Sequence, residues 1–131
     1  AVRGVKPGEY LAISRRWKKG DMIRIVFDFR ARLIDAPKGG RNPEGEFFQA
    51  VQWGPIVLAR DENIDPDYNK PVQVVADENG EVKVRQVTPE RPGTRMQFVV
   101  PTTGGDIKMV DYSSVDCWKG SHIQTWLPMI R

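Results

Sequence analysis

The sequence predicts an all-β protein, an antiparallel β-sandwich of Greek-key or jelly-roll type with little or no helix, on three observations. Apolar residues recur with a period of two, most cleanly in 22–29, where Ile23, Ile25, Phe27 and Phe29 share one parity and Arg24 and Asp28 the other. Turn-forming residues punctuate the short apolar runs, as in Lys18-Lys19-Gly20-Asp21, Asp77-Glu78-Asn79-Gly80 and 101–105. No window of eleven residues places apolar side chains at i, i+3, i+4 and i+7 free of Gly and Pro. Short strands with turns about every 8–12 residues are the pattern of a sandwich or Greek-key barrel.

Along the chain, 4–8 reads as a turn, and 10–17 alternates Leu11 and Ile13 with Ala12 and Ser14, which predicts a strand. The polar connection 18–21 leads into 22–29, so the two runs are expected to pair as a hairpin. A one-residue slip of 22–29 would place four large apolar side chains in water at roughly 1.5–3 kcal/mol each, so its register is expected to be firmly set. Residues 30–34 extend that strand or start an edge. The loop 36–45 carries three glycines and two prolines, a composition no strand survives. After Phe47-Phe48-Gln49 comes the central apolar run 50–60, interrupted by Gly54-Pro55.

A Gly-Pro pair cannot continue a helix, and Pro55 lacks an amide proton for a ladder, so the run is expected to be one buried strand with a bulge or bend. Val51 and Trp53 share a parity, which predicts that Trp53 is buried with Val51. Residues 72–76 and 82–87 flank Asn79-Gly80 and predict a second hairpin. Short strands at 96–100, 107–112 and 123–127 bring the expected number to eight or nine.

Composition narrows the function classes. The 131 residues suit one domain, 1–131, and no apolar run approaches the roughly 18 residues of a membrane helix. With 20 Lys and Arg against 17 Asp and Glu, the net charge is +3, and the basic residues are scattered except at 15–19. A nucleic-acid stripe would be denser. One cysteine, Cys117, excludes an internal disulfide and a multi-cysteine zinc site. The opening Ala1-Val2-Arg3-Gly4 reads as the continuation of a larger multidomain protein.

Candidate chemistry is sparse. Asp61, Asn63, Asp65 and Asp67 alternate like the start of a calcium loop, but Pro66 and Val72 stand where that motif needs Gly and Glu, so the segment reads as a solvated acidic loop. His122 with Asp116 and Cys117 lacks the orienting group that Cys-His catalysis requires. The pairs Asp61-Glu62 and Asp77-Glu78 are loop neighbours pointing to different sides, whereas acid-base work needs convergence. No catalytic, cofactor or metal residue is assigned. Trp118, in a loop between polar residues, is the candidate sugar contact, because a sugar ring stacks on an exposed indole. Trp17, Trp53 and Trp126 lie in apolar runs and are expected in the core.

Tyr10-x-x-Ile13-x-Arg15-x-Trp17-x-x-Gly20-Asp21-x-Ile23, followed by Ala50-x-Gln52-x-Gly54-Pro55-Ile56-Val57, resembles the β-sandwich region after the catalytic barrel in glycoside hydrolase family 127. Asp111-Tyr112 and Trp126-Leu127 resemble the family's last strands more loosely. Glu9 stands where the family usually has Gly, Trp53 where a polar residue is common, and 61–95 carries no family signature. The resemblance implies an accessory, non-catalytic domain of a glycoside hydrolase acting on arabinose-containing polysaccharide. It implies packing against the (α/α)6 barrel of the same parent chain, a possible homodimer, and a periplasmic or secreted setting. The barrel's cysteine nucleophile, glutamates and zinc ligands have no counterpart in these motifs, and Cys117 does not match the nucleophile. A carbohydrate-binding module using exposed aromatics is the alternative.

Overall fold

The structure, a computed structural model, describes residues 4–6, 8–38, 45–115 and 120–130. Among these residues are nine antiparallel strands: β1 (Ala31–Asp35), β2 (Phe48–Trp53), β3 (Ile56–Asp61), β4 (Glu81–Val82), β5 (Arg85–Val87), β6 (Gln97–Val100), β7 (Ile107–Asp111), β8 (Ile123–Gln124) and β9 (Leu127–Pro128). Among the described residues, helix is confined to the three-residue 3-10 turns Gly45–Phe47 and Tyr112–Ser114. The all-β, sandwich-like architecture expected from the alternation and the turn spacing is therefore present.

The order β4-β1-β2-β3-β7-β6-β5 turns a corner at β2 and β3. These strands pair only at Gln52↔Val57 and Trp53↔Ile56 and then diverge. β2 continues alongside β1, from Ala31↔Trp53 to Asp35↔Gln49, and alongside β9. β3 passes to β7 at Leu58↔Asp111 and to β8 at Arg60↔Gln124. At the other end of the path, only Lys83 and Val84 separate β4 from β5, so one stretch of chain edges both halves. Between the halves lies one core: Ala31, Val51, Val82 and Leu127 from one, Leu58, Phe98, Val100 and Met109 from the other. Segment 72–75 closes a further side, with Val72 N–H donating to Pro128 O, Val75 N–H to Pro101 O and Thr103 N–H to Gln73 O.

Gly54-Pro55 is a chain reversal, which corrects the expectation of a bend within one strand. Gly54 has φ +56°, and proline's φ near about −65° suits the next position, matching a type II′ hairpin turn. The lack of polar alternation in Ile56-Val57-Leu58 has a related cause. The strand changes partners from β2 to β7 at this point, and its last four residues are buried. Arg30–Ile34 also resolves: β1 lies between β2 and β4 and is not an edge strand.

Both predicted hairpins form their turns without forming their ladders. In 77–80, Gly80 N–H donates to Asp77 O at 2.9 Å, and the Asp77 carboxylate accepts from the N–H groups of Asn79 and Glu81. The flanking runs then part, because 72–75 joins 101–103 and Pro128, β4 joins β1, and β5 joins β6. In 18–21, Asp21 N–H donates to Lys18 O at 3.0 Å, with Gly20 at φ +94°. Neither 10–17 nor 22–29 is a strand, and these residues are exposed except for half-buried Ile13.

Of the tryptophans expected in the core, Trp53 is half-buried against it, with ring centroids 4.7 Å from Phe29 and 5.0 Å from Phe98. Trp17 and Trp126 are 49% and 38% exposed, so neither is a core residue. Trp17 belongs to the N-terminal segment that has no sheet over it, and Trp126 sits at the bend between β8 and β9.

Candidate functional site: an open apolar segment

β1 carries Ala31 on its core face, 2% exposed, with Leu33 packed against the same core. Phe29, Phe27, Ile25 and Ile23 continue that parity toward the N-terminus. The neighbouring strand β2 stops at Trp53, and its turn makes the last backbone contact, Gly54 N–H to Arg30 O at 3.1 Å. Beyond that point the apolar parity has no cover: Phe27 is 61% and Ile25 70% exposed. Phe29 anchors the root against Trp53, and the Phe27 ring meets Phe29 edge-on at 6.2 Å, so these two rings lie together.

On the opposite parity Met22 and Val26 are exposed, while Asp28, Arg30 and Arg32 form an ion-paired cluster. Asp28 accepts from Arg30 Nη2 at 2.6 Å and from Arg32 Nη2 at 2.7 Å. The Arg30 guanidinium, followed by the Arg30 backbone N–H, holds the Asp28 carboxyl well below the usual carboxylate range. Sequence reasoning did not assign this cluster. Its signal was present, since residues 28, 30 and 32 share one face of an extended chain. At the far end, Arg15 bonds Asp21 at 3.2 Å and lies 5.1 Å above the Trp17 ring, which ties the 18–21 turn to the segment before it.

The other clusters have internal partners. In the acidic loop, Asp61 accepts from Asn63 N–H and Nδ2 and lies 3.6 Å from Arg91. Arg60, 1% exposed, donates to Asp65, Lys70 O and Asp67 O. Oxygens of the loop thus bond Arg60 and lie beside Arg91, and among the described residues no group of three or more His, Cys, Asp or Glu could hold a metal. His122 Nδ1 lies 3.0 Å from Glu62, whose carboxyl is lowered by bonding to the His122 backbone and ring. Cys117 and Asp116 lie outside the described residues, as does Trp118, the candidate sugar contact.

A cleft of about 460 Å³ lies beside Arg60, with Asp65, Asp67, Lys70, Thr102, Asp106 and Lys108 on its wall. Among the described residues no aromatic ring lines it. Among the described residues the carboxyl groups displaced from their ordinary values, Asp28, Glu62, Asp77, Glu90 and Asp111, are all displaced downward. A general acid working near neutral pH needs the opposite displacement. Among the described residues no helix is long and apolar enough to cross a membrane.

Comparison with protein-family models, with curated proteins and with solved structures finds no match.

Proposed function

We propose that this chain is a non-catalytic β-sandwich module with a packing role, an accessory domain of a glycoside hydrolase acting on arabinose-containing polysaccharide. Its partner is the (α/α)6 barrel of the parent protein or a second subunit. The observation that carries the packing role is the open segment 22–29, where Ile23, Ile25 and Phe27 are more than half exposed beside a well-formed core. Leaving each exposed forgoes roughly 1.5–3 kcal/mol, and a contiguous patch of this kind marks an interaction surface. The glycoside hydrolase assignment is supported by the Arg15-x-Trp17-x-x-Gly20-Asp21 and Ala50-to-Val57 motifs alone.

Two experiments test the reading. The coding frame on the 5′ side of Ala1 is expected to encode an (α/α)6 barrel, and a different fold there would remove the glycoside hydrolase assignment. The chain by itself is expected to release no nitrophenol from an aryl β-L-arabinofuranoside. Turnover abolished by Cys117→Ser would overturn the non-catalytic role.

A second reading, a carbohydrate-binding module, draws on the half-exposed indoles of Trp17 and Trp126. Arg15 already covers one side of Trp17. Calorimetric titration with arabino-oligosaccharide decides between them, since heat that disappears in Trp126→Ala would favour sugar binding.

A further inference from the structure

We infer that Asn79 is a self-modification site: the Gly80 backbone nitrogen attacks the Asn79 side-chain amide and converts it through a succinimide to aspartate or isoaspartate, at a rate set by the 77–81 turn. The chemistry needs an asparagine followed by a small, unrestrained residue. Asn79 and Gly80 are both exposed, and nothing lies within 4 Å of the Gly80 Cβ position. Glycine has no side chain to block the approach and adopts backbone angles that other residues rarely reach. The other asparagines lack this neighbour. Asn42 precedes Pro43, which has no N–H, while Asn63 precedes β-branched Ile64 and its Nδ2 already donates to Asp61. Asn69 precedes Lys70, whose N–H donates to Asp67 O at 2.9 Å.

The conversion balances with water alone. Hydroxide takes the Gly80 amide proton, the nitrogen bonds to Asn79 Cγ, and the Cγ–Nδ2 bond breaks to release ammonia, the leaving nitrogen taking its proton from water. Water then opens the succinimide at Cγ to give aspartate, or at the main-chain carbonyl to give isoaspartate. The turn opposes ring closure. Gly80 N–H donates to Asp77 O at 2.9 Å, and the N–H groups on either side of it, from Asn79 and Glu81, both donate to Asp77 Oδ1 at 2.9 Å. Closure has to free Gly80 and rotate the backbone at residue 79, so it proceeds from a locally opened turn. The product disturbs the same bracket. Isoaspartate lengthens the main chain between residues 79 and 80, and either product adds a carboxylate beside Asp77, Glu78 and Glu81. Glu81 begins β4, opposite Arg32 of β1, so ageing acts on the β4 edge of the sheet.

The test is peptide mapping by mass spectrometry of the full chain aged in mildly alkaline buffer, with isoaspartate read by methyltransferase labelling. Conversion is expected at Asn79 and not at Asn63 or Asn69, and Asn79→Gln is expected to abolish it, because the longer side chain closes a less favourable ring. Asp77→Ala is expected to speed conversion about fivefold or more, the weight of one ordinary hydrogen bond. Asp77→Asn keeps an acceptor in place and is expected to speed it less. In urea all three chains are expected to convert alike. Exchange of the 81–82 amides is expected to quicken in aged wild type and not in aged Asn79→Gln. A wild type that keeps its Asn79 amide would overturn the inference, as would equal conversion at Asn63 or Asn69. A rate indifferent to both Asp77 variants, or an acceleration that persists in urea, would overturn control by the turn, and unaltered 81–82 exchange after full conversion would overturn the effect on β4.

Discussion

Gly54→Ala tests how the open segment is rooted. The glycine has φ +56° in the β2–β3 turn, backbone that costs a residue with a Cβ at least about 1–2 kcal/mol. A Cβ there would also lie 2.8 Å from Phe29 Cδ1, 3.1 Å from Asp28 O and 3.3 Å from Phe29 Cα. Two of those three atoms are backbone, so rotating the Phe29 ring does not relieve the contact, and residues 28–29 must shift. Overpacking of this kind adds about 1–3 kcal/mol, for a total of about 2–5. Gly80 supplies the control, because it has φ +75° with nothing within 4 Å of its Cβ position. Gly80→Ala should therefore cost only the conformational part. With a urea slope of about 1–3 kcal/mol per molar, Gly54→Ala should lower the unfolding midpoint by roughly 1–2 M, and Gly80→Ala by less than half that. Trp53 packs on Phe29, so its fluorescence should also change in the native baseline of Gly54→Ala only. Equal midpoint shifts in the two variants would refute the docking of 28–29 against this turn.

Other expectations follow from the same contacts. Trp53→Ala removes a half-buried ring from between Phe29 and Phe98 and should cost about 2–4 kcal/mol in urea unfolding; an unchanged midpoint would contradict its place against the core. Arg60→Met leaves Asp65 and the carbonyls of residues 67 and 70 without their donor, for about 3 kcal/mol, and a loss below 1 kcal/mol would show that Arg60 does not hold the 61–70 loop. Burial alone would raise the Asp111 carboxyl, but bonds from Ser113, Ser114 and the Met96 N–H outweigh it and lower the pKa. A lowered folded pKa gives stability that is present above the unfolded value of about 3.9 and is lost as the pH falls through the folded one. The midpoint gap between wild type and Asp111→Asn should thus be full above about pH 5 and narrow below about pH 4, and a gap independent of pH would refute the charge-assisted bonding.

Local conformation was legible in the sequence, and strand partnership was not. The turns at 18–21 and 77–80 form where Gly20 and Asn79-Gly80 place them, because a tight turn depends on a few adjacent residues. Which runs then pair is decided by the core. Residues 72–75 bond to 101–103 and Pro128, although Asn79-Gly80 alone would favour pairing with 82–87. The Gly54-Pro55 pair announced an interruption, but its φ signature fits a reversal better than a bulge, and continuity of the apolar run obscured that. The alternation of 22–29 identified which side chains share a parity without saying what covers them. At the candidate site, that parity pointed to the apolar half, and the spacing of Asp28, Arg30 and Arg32 carried the polar half unread. Buried Arg60, Gln97 and Asp111 had no signal in hydropathy, since their burial depends on partners such as Lys70 O, Glu90 and Ser113.

The claim that 22–29 is an interaction segment outside the folding core is tested most directly by amide hydrogen exchange on the full chain at high dilution. The amides of Val51, Leu58, Phe98 and Met109, in the buried core, should exchange only through global opening. Those of 22–28 should exchange close to the unprotected rate under the same conditions, and gain protection as concentration rises or a barrel partner is added. Protection of 22–28 equal to that of the core at every dilution would contradict the account, because the segment would then be folded within its own chain.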